Sequence, residues 1–185
     1  MSTVRALTLT FALTVFSAGS AQAASCPSSL DFELRPLAGS ESVRLCDEHQ
    51  GQVLLVVNTA SKCGFVGQFE GLEQLDSELQ DRGFRVLGFP SGDFLGQEYA
   101  DEEQIADFCR SNYGVQFPMY EKVNASRRGA QPGTLYHYLG NAAGEFPSWN
   151  FHKYLIGRDG ELLASFGTRV RPDDPRIRQA IEAAL

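Results

Sequence analysis

An apolar run rich in β-branched residues, 53–57, ends in polar residues and is followed within a few positions by Cys63. Such a run predicts a buried β-strand, and a helical pattern that begins near Gln68 places Cys63 in the turn between strand and helix. Free N–H groups at the helix start, the helix dipole and the adjacent Lys62 all favour thiolate over thiol. The position therefore favours a reactive sulfur. The alternative is a small buried apolar side chain, the usual role of a free cysteine.

The first 23 residues have the pattern of an export signal. Arg5 supplies a positive charge, residues 6–18 are uncharged and mostly apolar, and Ala21-Gln22-Ala23 provides small residues before a cleavage site. The apolar segment is shorter than the roughly 20 residues that a membrane span requires. We therefore expect a signal peptide over 1–23, one domain over 24–185 and an exported protein, periplasmic or secreted. Lipidation of Cys26 is the alternative, although no large aliphatic residue precedes it at the expected place.

The charge of the chain excludes some partners. The formal net charge is -7, and loss of Arg5 with the leader makes the rest more acidic. No basic patch with interleaved aromatic residues occurs, so we expect neither nucleic acid nor an anionic membrane surface as a partner. Near the C-terminus, Arg169 and Arg171 form either a solvated edge or a site that steers an acidic substrate.

The four cysteines divide into two groups. Cys26 and Cys46 flank two segments, 31–34 and 42–45, that alternate polar and apolar residues as a β-hairpin does. In an oxidising compartment a structural Cys26–Cys46 disulfide is favoured among the three possible pairings, and it would contribute about 3 kcal/mol. This leaves Cys63 and Cys109 for chemistry. The alternative for Cys109 is simple burial on its helix.

The remaining pattern predicts an α/β protein. Strand–helix–strand–helix comes first and a hairpin with a closing helix last, which is the order of a thioredoxin-like fold: a central mixed sheet flanked by helices, with an N-terminal β-hairpin extension. The expected elements are a helix from 68 to about 82, a strand over 84–90, a helix from 101, a short helix over 134–139, strands over 154–157 and 162–166, and a helix over 175–185.

Three separated motifs resemble the glutathione peroxidase family, with similarity from about Asp31 to the C-terminus. Residues 58–65 resemble its peroxidatic motif. Residues 87–90, with Phe94, Gly96, Gln97 and Glu98, resemble its second motif, and Trp149-Asn150-Phe151 followed by Lys153 resembles its third. The resemblance implies an enzyme, a thiol-dependent peroxidase that reduces hydrogen peroxide or organic hydroperoxides and protects against oxidative stress.

The resemblance also implies site residues. Cys63 takes the position of the nucleophile, and Trp149 and Asn150 those of an indole and an amide that stabilise the thiolate. Without the resemblance, Trp149 is an ordinary core anchor. Where the family usually carries Gln, this chain has Asp93. Asp93 either stays protonated and donates a hydrogen bond, or moves a proton, or points away from the site. The alternative is an Asx-turn after Gly92.

Attack on a hydroperoxide gives a sulfenic acid on Cys63, which a thiol must reduce. Cys109 is the candidate resolving cysteine, and the external reductant is glutathione or a thioredoxin-like protein. No cofactor and no metal are expected, because His137 and His152 lack carboxylate or cysteine neighbours at metal-ligand spacing, and His49 is expected in solvent.

Two other functions stay open on the same fold. One is a thiol–disulfide oxidoreductase, which is disfavoured because Gly64, Phe65 and Val66 follow Cys63 and no Cys-x-x-Cys occurs. The other is a peroxide-sensing module without turnover.

Overall fold

The computed structural model describes residues 25–185, so the predicted leader lies outside the described residues. The strands are β1 (Glu33–Leu34), β2 (Val43–Arg44), β3 (Val53–Thr59), β4 (Phe84–Pro90), β5 (Lys153–Ile156) and β6 (Leu162–Phe166). The helices are α1 (Leu45–His49), α2 (Gln68–Leu79), α3 (Glu102–Tyr113), α4 (Leu135–Ala143) and α5 (Pro175–Ala184), with a 3-10 turn (Gln80–Arg82) after α2.

A four-stranded mixed sheet forms the centre, in the order β4-β3-β5-β6. β3 pairs in parallel with β4 and antiparallel with β5, which pairs antiparallel with β6. All seven residues of β3 are buried. A strand covered on both faces carries a continuous apolar run instead of an alternating one, which is the pattern of residues 53–57.

Helices cover both faces of the sheet. Because successive side chains of a strand point to opposite faces, Val53, Leu55 and Val57 pack on one side, and Leu54 and Val56 on the other. Residues of α2, α3 and α5 complete the first core, and residues of α4 and of the N-terminal segment complete the second. The predicted mixed sheet flanked by helices is confirmed.

The N-terminal hairpin is confirmed as the antiparallel pair β1–β2. Cys26 and Cys46 form the predicted disulfide, with their Cα atoms 5.8 Å apart. The expectation for His49 is wrong, because α1 begins directly after β2 and carries this ring inward, leaving it 5 % exposed. Its Nε2 lies 2.6 Å from the Tyr120 hydroxyl.

Two acidic residues begin helices. The Asp101 side chain accepts the Gln104 N–H at the start of α3, and Asp174 accepts the Arg176 N–H at the start of α5. Acids at these positions satisfy otherwise unpaired donors and complement the helix dipole. None of the helices within residues 25–185 combines the length and the apolar character that crossing a membrane requires.

Candidate active site

Cys63 lies in a series of turns, 61–67, between the end of β3 and the start of α2. Its side chain is buried at 3 % exposure and is not disulfide-bonded. The Phe65 N–H donates to Cys63 Sγ at 3.5 Å, and the Val66 N–H donates to the Cys63 carbonyl. The turn before the helix therefore aims a backbone donor at the sulfur, which favours a negative charge there.

The loop after β4 is joined to the Cys63 loop by hydrogen bonds. The Lys62 N–H donates to the Gln97 carbonyl at 2.9 Å. The Glu98 carboxylate accepts the Ser61 N–H at 3.2 Å and the Tyr99 N–H at 2.8 Å. Glu98 is 6 % exposed, and this burial raises its pKa. The Lys62 ammonium lies 4.4 Å from the centre of the Tyr99 ring, a cation–π contact.

Asn58, near the end of β3, fixes the segment that carries Trp149 and Asn150. Its side-chain amide donates to the Trp149 carbonyl at 3.1 Å and accepts the His152 N–H at 3.1 Å. Its backbone carbonyl accepts the Phe151 N–H at 2.6 Å. Phe151 has a φ of 62°, a conformation that costs energy for a residue other than glycine. The hydrogen bonds to Asn58 hold this turn in place.

Trp149 and Asn150 differ in their surroundings. The half-buried indole of Trp149 packs against Phe94, with ring centres 5.9 Å apart. The Asn150 side chain is fully buried, and its Nδ2 donates to Gln97 Oε1 at 3.0 Å. Asn150 Oδ1 has no hydrogen-bond partner among residues 25–185. The Gln97 backbone carbonyl also accepts the Lys62 N–H. Gln97 therefore connects Asn150 to the loop that carries Cys63.

Asp93 is directed toward a different loop. Its Oδ2 accepts the Ser126 N–H at 2.8 Å, and a Cβ built on Gly129 would lie only 2.5 Å from the same oxygen. Its own N–H donates to the Ser91 hydroxyl at 3.4 Å. Of the three accounts of Asp93, this contact favours the one in which the carboxylate points away.

Cys109 lies on α3 and belongs to the same apolar cluster as Cys63. It is a free cysteine, only 2 % exposed. Burial first, and then the charge of Glu98, raises the pKa of the Cys109 thiol to about 12. In this folded state Cys109 is therefore a protonated, unreactive thiol.

Lys153 is a buried, hydrogen-bonded lysine beside the site. Its ammonium donates to the carbonyls of Phe151 and Val170, each at 2.7 Å, and to the Gln68 side chain. Burial lowers the pKa of Lys153 to about 7, while the three oxygen acceptors favour the charged form and oppose that shift. His152 is also buried, which lowers its pKa to about 4, and Ser165 faces its Nε2 at 2.8 Å.

Two residues of the site received no role from the sequence. Gln97 lies in the second motif, but its contact with Asn150 joins positions 53 residues apart. Lys153 begins an apolar strand, and a lone charge in such a run is the signal that could have marked it as a buried, hydrogen-bonded group.

Family comparison decides the class of the protein. The sequence model of glutathione peroxidase matches residues 30–140. The chain belongs to the glutathione peroxidase family. It is 43 % identical over 159 residues to the glutathione peroxidase homolog BsaA of Staphylococcus epidermidis, across 84 % of this chain and 97 % of BsaA. It is 38 % identical to the thioredoxin/glutathione peroxidase BtuE of Escherichia coli, across 77 % of this chain and 90 % of BtuE. The predicted family and enzyme class, a thiol-dependent peroxidase, are confirmed.

Solved structures support the fold. The crystal structure of Trgpx in its apo form has a TM-score of 0.64 and 32 % sequence identity, and covers 85 % of this chain and 95 % of that one. A putative thiol:disulfide interchange protein DsbE from Chlorobium tepidum has a TM-score of 0.60 at 20 % identity, over 88 % of this chain and 99 % of that one. The second likeness shows the fold alone. The thioredoxin-like fold is confirmed.

Proposed function

We propose that this glutathione peroxidase reduces hydroperoxides through the thiolate of Cys63. The observation that carries the proposal is the convergence at the end of β3, where Phe65 donates to the Cys63 sulfur and Asn58 fixes the Trp149–Asn150 segment. A buried thiol whose sulfur accepts a backbone N–H suits a nucleophile that must carry a negative charge.

The sulfur attacks one oxygen of the peroxide. An S–O bond forms and the O–O bond breaks, so the sulfur is oxidised to a sulfenic acid and the peroxide is reduced. The departing oxygen takes a proton and leaves as water or as an alcohol. In this step the indole N–H of Trp149 and the amide of Asn150 stabilise the negative charge. Asp93, held by Ser126, acts through its loop and not on the sulfur.

A thiol returns the enzyme to its reduced state. We assign this step first to Cys109, which attacks the Cys63 sulfenic acid, expels water and forms an internal disulfide. Two external thiol groups, from two glutathione molecules or from the dithiol of a thioredoxin-like protein, then reduce that disulfide through a mixed disulfide and are themselves joined in a disulfide. Because the Cys109 thiol is buried with a raised pKa, local unfolding at α3 must expose it before it reacts.

We also propose that the protein is exported, with a signal peptide over 1–23 and one domain over 24–185. The support is the Cys26–Cys46 disulfide, since structural disulfides persist in oxidising compartments. Fractionation of cells that produce the full chain, with the mass of the mature N-terminus determined, tests this proposal. A mature chain that retains residues 1–23 would contradict it.

Intact-protein mass spectrometry after one equivalent of hydrogen peroxide tests the proposed chemistry. Free thiols are alkylated, and the wild type is compared with Cys63→Ser and Cys109→Ser. We expect loss of both free thiols in the wild type, a Cys63 sulfenic acid in Cys109→Ser, and no oxidation of Cys109 in Cys63→Ser. An unoxidised Cys63 in the wild type would refute the peroxidase proposal. A wild-type sulfenic acid with Cys109 still alkylatable would refute the resolving role alone.

Steady-state turnover separates an enzyme from a peroxide sensor. With excess thiol reductant, a peroxidase consumes many equivalents of hydrogen peroxide per chain, whereas a sensor is oxidised once and recovers slowly. We expect many turnovers with at least one of the two reductant classes.

A further inference from the structure

The side-chain amino group of Lys153 is enclosed by three segments of the chain. Lys153 begins β5 and is 0 % exposed. Its Nζ donates to the Phe151 carbonyl and to the Val170 carbonyl, each at 2.7 Å, and to Gln68 Oε1. Val170 lies in the loop after β6, and Gln68 is the first residue of α2. One buried group therefore joins the turn of residues 149–151 to the start of the helix that follows the Cys63 loop.

Gln68 extends this connection to the sulfur. The Gln68 N–H donates to the Phe65 carbonyl at 2.9 Å, and the Phe65 N–H donates to Cys63 Sγ at 3.5 Å. The Gln68 side chain also donates through Nε2 to the Thr168 carbonyl at 2.8 Å, which leaves its Oε1 facing Lys153. Gln68 therefore joins the amino group of Lys153 to the residue that donates to the nucleophile.

The Phe151 carbonyl belongs to the turn that carries Trp149 and Asn150. Asn58 binds the Trp149 carbonyl and the Phe151 N–H on one side of this turn. Phe151 has a φ of 62°, which costs energy unless the surroundings hold the backbone in place. The hydrogen bond from Lys153 to the Phe151 carbonyl supplies a second point of attachment.

The surroundings of Lys153 suit its protonated form. A protonated amino group has three N–H donors, which equals the number of oxygen acceptors at Nζ, whereas a neutral amine has two. Within residues 25–185, no carboxylate forms an ion pair with this side chain. Burial of a charge without an acidic partner is costly, and apolar residues of similar volume are often at least as stabilising. Stability alone therefore does not account for a lysine at this position.

We propose that Lys153 is a positioning residue of the peroxidase reaction, which fixes the turn of Trp149 and Asn150 against the helix start that follows Cys63. The inference rests on the proposed function, because the geometry that it maintains serves the attack of the sulfur on a peroxide. Lys153 acts through its hydrogen bonds and not on the sulfur. Without it, the indole and the amide lose their fixed position, so the S–O bond forms more slowly.

The test measures the second-order rate of Cys63 oxidation by hydrogen peroxide in a single turnover of the reduced protein. Lys153→Met keeps most of the side-chain length and removes every donor. We expect it to slow the reaction about tenfold, less than the roughly 100-fold that a displacement of about 1 Å can cost, because the bonds to Asn58 remain. Gln68→Met removes one of the three acceptors, so we expect a loss of about threefold, the effect of one hydrogen bond.

Asp76→Asn is the matched control. Asp76 is also a buried polar residue, 2 % exposed, but its carboxylate accepts the Val86 N–H and pairs with Arg85, away from the Cys63 loop and the turn of residues 149–151. We expect Asp76→Asn to leave the rate unchanged. The melting temperature of each variant is measured beside its rate, so that a general loss of stability is recognised.

Two further readouts report on position. Trp149 is the single tryptophan of the chain, so quenching of its fluorescence by acrylamide reports the freedom of this indole. We expect stronger quenching in Lys153→Met and Gln68→Met than in the wild type and Asp76→Asn. In the double variant Lys153→Met/Gln68→Met, we expect no greater loss of rate than in Lys153→Met, because the two residues act through one shared contact.

Three results would overturn the inference: a wild-type rate in Lys153→Met, an equal loss in Asp76→Asn, or additive losses in the double variant. If Lys153→Met does not fold, Gln68→Met decides, and a wild-type rate with wild-type quenching in that variant overturns the role. A wild type whose Cys63 is not oxidised refutes the proposed function itself. Oxidation at the wild-type rate in both variants refutes the positioning role alone.

Discussion

Reduction of the Cys26–Cys46 disulfide should lower the stability of the fold by an amount that follows from loop length. The bridge closes a loop with a sequence separation of 20. Chain entropy lost by the unfolded state for a loop of this length corresponds to about 3 kcal/mol at 25 °C. For a domain of this size, each 1 kcal/mol moves the melting temperature by roughly 2–4 °C, so we expect a fall of about 6–12 °C.

The measurement uses one protein in two redox states. In a Cys63→Ser/Cys109→Ser background, the remaining cysteines are those of the bridge. Circular dichroism follows thermal and urea unfolding with and without a reductant. Comparing oxidised with reduced protein keeps the Cys46 side chain, which is 4 % exposed, so no cavity contributes to the difference. A Cys26→Ser/Cys46→Ser protein provides the control, since the reductant should not change its unfolding.

The urea slope gives a second and independent check. A cross-linked unfolded chain is more compact and exposes less surface, so the m-value of the oxidised form should be the smaller of the two. Equal midpoints and equal m-values in the two redox states would refute the reasoning. A fall in stability with no difference in m would show that the bridge acts mainly on the folded hairpin.

Three further changes test other parts of the structure. Burial lowers the pKa of Lys153 from 10.5 to about 7, so the folded state binds fewer protons than the unfolded state between these values. The wild-type free energy of unfolding should therefore rise with pH across this window, by up to about 5 kcal/mol relative to Lys153→Met in urea titrations; a constant difference would contradict this. Gly88→Ala directs a Cβ into Met119 Sδ and should cost about 1–3 kcal/mol in the same assay. Glu98→Gln removes a charge that raises the Cys109 pKa, so ultraviolet titration of the thiolate in Cys63→Ser should give a lower value.

The features that sequence predicted are those set by local pattern. The apolar run of β3 must be covered on both faces, and a cysteine just past its end must lie at the edge of the sheet. The alternation over 31–34 and 42–45 predicts a hairpin, and the two cysteines that flank it predict a bridge across it. Each of these predictions depends on residues close together in the chain, so periodicity was sufficient.

The features that sequence left open or missed depend on contacts between distant loops. The direction of Asp93 is set by the Ser126 N–H, which belongs to a loop without periodic pattern. The acceptors of Lys153 include two backbone carbonyls, which every residue has and which no sequence pattern marks. The acidic neighbours of His49 suggested solvent, but the turn of α1 brought its ring against Tyr120.

The central position of β3 also sets the order in which the site can form as the chain is made. β3 pairs with β4 and with β5, and β5 follows Trp149 and Asn150, late in the chain. A growing chain therefore presents Cys63 before the two side chains that support it exist. Cys26 and Cys46 both precede Cys63 in the chain, so both cysteines of the bridge emerge before the cysteine of the site. In an oxidising compartment this order lets the bridge close before Trp149 and Asn150 complete the surroundings of Cys63.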